Sequence, residues 1–378
     1  MSTRRPDGTS GWVIGRAAGA PVILAPSWLL AAVVLTIIFV PTVRIWAPVI
    51  GEVATYLVAF SFVVLLFVSV FLHELAHGFM ARARGLEVRE FAITLLGGHT
   101  AVGGAASAPG ASALIAVVGP VTNLAVGAGC WLAFRAVPAG GALAAVLYAG
   151  AFANAFVAVF NLVPGLPLDG GRVLEALVWK LSGDRLRGTV AAGWAGRVVA
   201  VGFAVWALGL PLLSGAQPDM FTIIWAVLIG TFLWSGASGA IRGAGAQRAL
   251  DRLTVDAVAR PAVGVPLIAT LAQAQAAAEA AGTSAVVLLA PDGAPVGYID
   301  PAAAATVPDA ARPTTAVQAV AIPLADGAVV DGHLVGPDLL HAIGQVARSA
   351  AVMAVLVDGQ VTGLVFAPEV AAVLRARP

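Results

Sequence analysis

Six apolar runs, each close to the roughly 20 residues a helix needs to cross a bilayer, fill the first 245 positions and constrain everything else about the chain. They cover approximately residues 21–40, 53–80, 112–137, 141–163, 189–213 and 220–240. Only 11% of the residues are charged and 60% are hydrophobic, whereas a soluble domain carries about 25% charge. One water-soluble body is therefore excluded. With a net charge of +1 there is no basic surface for nucleic acid. Cys130 is the single cysteine, which rules out an internal disulfide framework and a cysteine-based zinc site. The first run is too long for the core of a secretion signal and follows Arg4-Arg5-Pro6-Asp7-Gly8, so no cleavable signal peptide is expected.

The basic residues are spread unevenly between the runs. Arg4, Arg5 and Arg16 precede the first, and Arg82, Arg84 and Arg89 follow the second. Arg172, Lys180, Arg185 and Arg187 follow the fourth, and Arg242, Arg248 and Arg252 follow the sixth. The alternate segments hold little more than Arg44 and Arg135. Positively charged loops stay in the cytoplasm. The pattern predicts six spans in the plasma membrane, with the N-terminus and the tail both cytoplasmic.

Before position 169 the acids are Asp7, Glu52, Glu74, Glu87 and Glu90, and only Glu74 lies well inside an apolar run. Ionisable groups in a span are costly and mark function by default. Glu74 sits in His73-Glu74-Leu75-Ala76-His77, an HExxH pattern. Residues i and i+4 share a helix face, so both imidazoles can bind one zinc ion with Glu74 beside it as general base. The competing reading is a hydrogen-bonded polar network between helices. A catalytic zinc usually takes a third protein ligand. The best candidate is Asp169, at the end of Asn161-Leu162-Val163-Pro164-Gly165-Leu166-Pro167-Leu168-Asp169-Gly170-Gly171. Prolines and glycines break the helix there, and irregular backbone at membrane depth is tolerated only where it is buried or lines a cavity. A solvated Asp in an ordinary turn is the alternative, and His99 is the rival ligand.

The HExxH of the second run, followed by NxxPxxPLDGG after the fourth, resembles the site-2 proteases, the zinc intramembrane metalloproteases. The resemblance covers about residues 15–245. It implies His73, His77 and Asp169 as zinc ligands and Glu74 as the acid/base that activates the attacking water. It implies a membrane-reentrant β-hairpin at 91–104, containing Gly97 and Gly98, whose free edge pairs with an unfolded substrate strand. Asn161 matches the family's substrate-contacting asparagine, with a turn or capping role as its alternative. Gly119-Pro120-Val121-Thr122-Asn123 also fits the family pattern, and close helix packing is the reading given to it. The implied substrate is a single-span membrane protein such as an anti-sigma factor or another membrane-tethered regulator, cleaved within or near the lipid bilayer.

The last 130 residues carry charge at ordinary spacing. After a short linker near 243–247, two similar units, about 253–301 and 312–375, each join an Ala-rich helix to paired β runs. They resemble a tandem pair of CBS domains. The expected fold is thus an α-helical polytopic membrane domain over 1–245 followed by an α/β CBS pair over 250–378. CBS pairs often bind adenine nucleotides through a Thr/Ser followed by Asp. Asp300-Pro301-Ala302 and Ala367-Pro368-Glu369 depart from that pattern, so a structural module, or one forming a homodimer, is the competing expectation. His333 and His341 read as surface or core residues. Two other functions compete with proteolysis: a non-catalytic membrane scaffold, and a CBS-gated transporter. The second expects internal repeats and a polar pore lining that the runs lack.

Overall fold

The computed structural model describes residues 9–94, 97–138 and 141–376, with side chains as far as 372. Arg4, Arg5 and, inside the expected hairpin, Leu95 and Leu96 lie outside the described residues. The chain divides into two units, Met1–Ala244 and Gly245–Pro378.

The first unit opens with two strands, β1 (Trp12–Ala17) and β2 (Ala20–Leu24), before helix α1 (Ser27–Trp46). The first apolar run therefore does not begin a helix at 21 as expected. Its first residues form a buried strand, and Pro26 stands just before the helix. Helix α2 (Glu52–Ala83) is followed by β3 (Glu87–Thr94) and β4 (Gly97–Gly103), then by α3 (Pro109–Arg135) and α4 (Ala142–Asn161). The four strands form one sheet in the order β1-β2-β3-β4, with β3 and β4 antiparallel and paired from Glu87↔Gly103 to Thr94↔Gly97. Fully buried Phe91 of β3 packs with Val22 of β2 and Ala81 of α2, which seats the sheet on the C-terminal half of that helix.

After α4 the chain turns through 162–168 into the amphipathic helix α5 (Asp169–Ser182). Helix α6 (Arg185–Ala204) follows, capped by the Asp184 carboxylate, which accepts from the Leu186 and Arg187 amides. It continues through a π-helical turn at Val205–Gly209 into the short helix α7 (Leu210–Leu213). Helix α8 (Met220–Asp251) completes, among the described residues, six helices long and apolar enough to cross a membrane. On α1, Leu29, Leu30, Val33 and Ile37 are each at least half exposed. Such a patch would drive association in water and is at home against lipid. The chain is a polytopic membrane protein.

The linker expected near 243–247 is instead helical, because α8 runs on to Asp251. The Ala, Gln, Arg and Leu around Gly243 and Gly245 are strong helix formers and outweigh two glycines.

The second unit is α/β. Its first half runs β5 (Ala259–Pro266), α9 (Leu271–Ala280), β6 (Ala285–Leu289), β7 (Pro295–Ile299), α10 (Pro301–Ala305) and a short β8 (Ala321–Pro323). Its second half runs β9 (Val329–Asp331), α11 (Gly336–Val346), β10 (Val352–Val357), β11 (Gln360–Phe366) and α12 (Ala367–Ala376). Each half has a strand, a helix, a strand parallel to the first and a hairpin partner. Antiparallel pairing of β5 with β11 joins the halves into one seven-stranded sheet. This is the two-unit α/β arrangement expected of a CBS pair. The leading strands β5 and β9 are additions to what the sequence pattern indicated.

Candidate metal centre

Helix α2 sets His73 and His77 one turn apart, with their Nε2 atoms 2.9 Å from each other. Asp169, the first residue of α5, brings Oδ2 to 3.0 Å from His73 Nε2 and 3.3 Å from His77 Nε2. One donor atom from each residue lies within 4.8 Å of the other two. The three side chains are only 7%, 12% and 14% exposed, so the donors converge away from bulk solvent.

The local sequence explains why Asp169 arrives there. Pro164 and Pro167 cannot continue α4, and the irregular segment is pinned where the Leu166 amide donates to the Ala192 carbonyl of α6 at 3.0 Å. Helix α5 then starts at Asp169 itself, and an acid in the first turn suits the positive end of the helix dipole.

The far nitrogens of both rings are also occupied. His73 Nδ1 lies 2.5 Å from Asn123 Oδ1, and His77 Nδ1 lies 2.6 Å from the Ile115 carbonyl oxygen. The Asn123 amide nitrogen donates to Ser69 Oγ at 2.7 Å and to Asn154 Oδ1 at 2.9 Å, which fixes its oxygen towards His73. Both rings therefore carry their proton on Nδ1 and direct an Nε2 lone pair inward. Two lone pairs at 2.9 Å, facing a carboxylate, repel one another unless a cation lies between them. Neutral imidazoles oriented by oxygen acceptors on their other nitrogen are the usual first-shell donors of a zinc site, so the donor set fits the ion.

Glu74 is held from the neighbouring strand. Thr100 Oγ1 of β4 lies 2.7 Å from Glu74 Oε2 and 3.0 Å from its carbonyl oxygen. The backbone of Gly98 passes so close that an added Cβ would stand 2.6 Å from Glu74 Cγ. Gly119 does the same for the histidines, since a Cβ there would fall 2.7 Å from His73 Nε2. These two glycines let β4 and α3 approach the motif.

Of the other residues singled out from the sequence, Gly97 pairs with Thr94 at the end of the hairpin, and β4 is an outer strand of its sheet. Asn161 ends α4 and donates to the Val157 carbonyl of its own helix at 3.1 Å. His99 is not part of the trio. It is half exposed, 3.6 Å from Glu90 and 3.3 Å from Thr9 Oγ1. In the second unit His333 is exposed, 3.4 Å from Asp358, and His341 faces Gln345. Sequence reasoning misses four partners: it gives Asn123 to packing and assigns no task to Thr100 or to the buried pair Ser69 and Asn154. The signal for Asn154 was present, since it is a rare amide inside an otherwise apolar run.

Fold and centre together define a class: a polytopic membrane protein in which two histidines and a glutamate on the second spanning helix meet an aspartate at the start of an amphipathic helix. Residues 61–139 and 133–205 match the family model described as "Peptidase family M50". A 179-residue stretch is 38% identical to Rip3 of Mycobacterium tuberculosis, provisionally named a zinc metalloprotease, over 46% of this chain and 44% of that protein. The solved structure of the site-2 protease from Methanocaldococcus jannaschii aligns over 61% of this chain and 94% of that one, at 24% identity and a TM-score of 0.42. The CBS domain structure of a bacterial CNNM/CorC family Mg2+ transporter aligns over 41% of this chain and 95% of that one, at 17% identity and a TM-score of 0.26. The chain spans about half the length of the curated relatives it matches, between 44% and 63%. Over residues 61–205 its membrane unit is thus similar to peptidase family M50.

Proposed function

We propose that the chain is a zinc endopeptidase that hydrolyses peptide bonds of single-span membrane proteins within or near the bilayer. The observation that carries this is the convergence of His73 Nε2, His77 Nε2 and an Asp169 carboxylate oxygen within 4.8 Å, next to Glu74. In this reading those three residues hold the ion. Zinc held there supplies Lewis-acid polarisation of the scissile carbonyl and makes a nearby water more acidic. Glu74 takes the proton of the attacking water and delivers it to the leaving amine, its carboxylate oriented by the Thr100 hydroxyl. Asn123 and the Ile115 carbonyl keep the two rings in the tautomer that binds metal.

A spanning helix has every peptide group bonded internally, so a substrate has to unwind before it is cut. The outer edge of β4 offers unpaired backbone groups beside Glu74 and can hold the unwound segment extended as an added strand. Gly97, Gly98 and Asn161 are the substrate contacts in this scheme. Residues 1–245 are the protease domain of the plasma membrane, with both chain ends cytoplasmic, and 250–378 a CBS pair. Two contacts favour a structural or dimer-forming tail over a nucleotide sensor. Asp300 caps α10 through the Ala302 amide at 2.9 Å, and Glu369 is engaged by the Arg260 guanidinium. Substrates are expected among membrane-tethered regulators such as anti-sigma factors.

The test uses purified wild-type, Glu74→Gln and His73→Ala full-length protein in detergent with a panel of single-span proteins. Metal content and cleavage are measured together. Wild type and Glu74→Gln should each hold about one zinc, His73→Ala should lose it, and wild type alone should cleave. Cleavage by Glu74→Gln would remove the glutamate from the mechanism. Zinc content unchanged in His73→Ala would remove the site.

A further inference from the structure

Arg197 is an ionisable residue in the first third of the fifth apolar run, and the proteolytic scheme gives it no task. Its guanidinium stacks between two indoles, 4.7 Å from the centre of the Trp194 ring and 5.2 Å from that of Trp234. Its Nε donates to Ser238 Oγ of α8 at 3.1 Å. Among the described residues its two terminal nitrogens meet no hydrogen-bond acceptor and no carboxylate. A half-buried arginine with four unused N–H groups needs an acceptor from elsewhere.

The position along the helices says where that acceptor resides. From Val198 to Leu213 there is no ionisable residue, a rise of about 24 Å at 1.5 Å per residue. From Met220 to Ser238 there is again none, a rise of about 28 Å. Both lengths match a hydrocarbon layer of about 30 Å. Arg197 and Ser238 therefore stand together at one edge of the apolar band. Trp194 and Trp234 are 55% and 47% exposed beside them, as expected of an aromatic belt at headgroup level. Exposed Arg242 lies one turn beyond Ser238 on the same face of α8, and it too has no acid partner among the described residues.

We infer that Arg197, framed by Trp194 and Trp234, held by Ser238 and supplemented by Arg242, binds the phosphodiester of an anionic phospholipid in the leaflet at that edge. The planar fork of arginine matches two phosphate oxygens. The indoles provide apolar walls for the glycerol and the first methylenes of the acyl chains. The site lies on α6, five residues beyond Ala192, whose carbonyl pins the segment leading to Asp169.

The test measures lipid retained by the full-length chain through delipidation in a neutral detergent, by native mass spectrometry. The added probes are phosphatidylglycerol, phosphatidylcholine and inorganic phosphate, used separately. Wild type should retain about one phosphatidylglycerol in preference to phosphatidylcholine. Apparent affinity should fall about tenfold to a hundredfold in Arg197→Gln and by less in Arg197→Lys, which keeps the charge but loses the fork. Ser238→Ala, a smaller change, should weaken retention with zinc content unaltered, which shows that the fold is intact. Equal retention of phosphatidylglycerol in wild type and Arg197→Gln would overturn the inference. So would binding of inorganic phosphate without retention of lipid.

Discussion

Asn123 is fully buried and supplies the oxygen that faces His73 Nδ1 at 2.5 Å. Replacing it with alanine removes its hydrogen bonds to His73, Ser69 and Asn154, but the loss is not shared equally. Ser69 and Asn154 still have each other, because the Ser69 hydroxyl donates to Asn154 Oδ1. Only the His73 Nδ1–H is left with no acceptor, in a position closed to water. An orphaned buried donor costs about 1–3 kcal/mol, and loss of a partner that orients a metal-bound histidine weakens metal binding about tenfold to a hundredfold. Asn123→Ala should therefore weaken zinc binding by about that factor, measured by competition with a chelator of known affinity. Asn154→Ala should shift it by less than about threefold, since Asn154 reaches His73 only through Asn123 and its loss leaves the ring's own acceptor in place. Thermal melts in excess chelator separate general loss of stability from the effect on the ion. Unchanged zinc affinity in Asn123→Ala, or equal effects of the two variants, would refute the claim that this amide sets the ring.

Three further outcomes follow from geometry. Thr100→Val removes the hydroxyl beside Glu74 Oε2 and should lower kcat about tenfold or more, with zinc content unchanged by elemental analysis. Gly119→Ala places a methyl 2.7 Å from His73 Nε2, so purified protein should carry little zinc while still partitioning into membranes. In the tail, Met353 is fully buried among Leu339, Val355 and Val365. Met353→Ala should cost about 2–5 kcal/mol, seen as a lower unfolding temperature for the tail in scanning calorimetry of the full chain.

Much of the centre was legible because helical spacing is a strong constraint. Two histidines four apart share a face whatever surrounds them, and an acid in a proline-rich break stands out where charge is scarce. The fold of the first unit was legible in outline for the same reason, since long apolar runs leave few alternatives to spanning helices. What escaped notice lay where one composition serves two structures. The residues of β2 are as apolar as those of α1, and a short buried strand next to a helix reads as one continuous run. The partners of the histidines escaped for a different reason. Asn123 lies fifty positions from His73 and Thr100 twenty-six from Glu74, and side-chain pairing between elements has no sequence period to betray it. The continuity of α8 through Gly243 and Gly245 was hidden by giving two glycines more weight than the helix formers around them.

The donors of the metal centre are also far apart in the order of synthesis. His73 and His77 leave the ribosome early, Asp169 comes 96 residues after His73, and the carbonyl that pins its segment belongs to Ala192. At about 5–20 residues per second, roughly 6–23 s separate His77 from Ala192. During that interval the growing chain has its glutamate and two imidazoles in place but no third donor pinned beside them. The centre therefore cannot close in its final form until synthesis has passed Ala192.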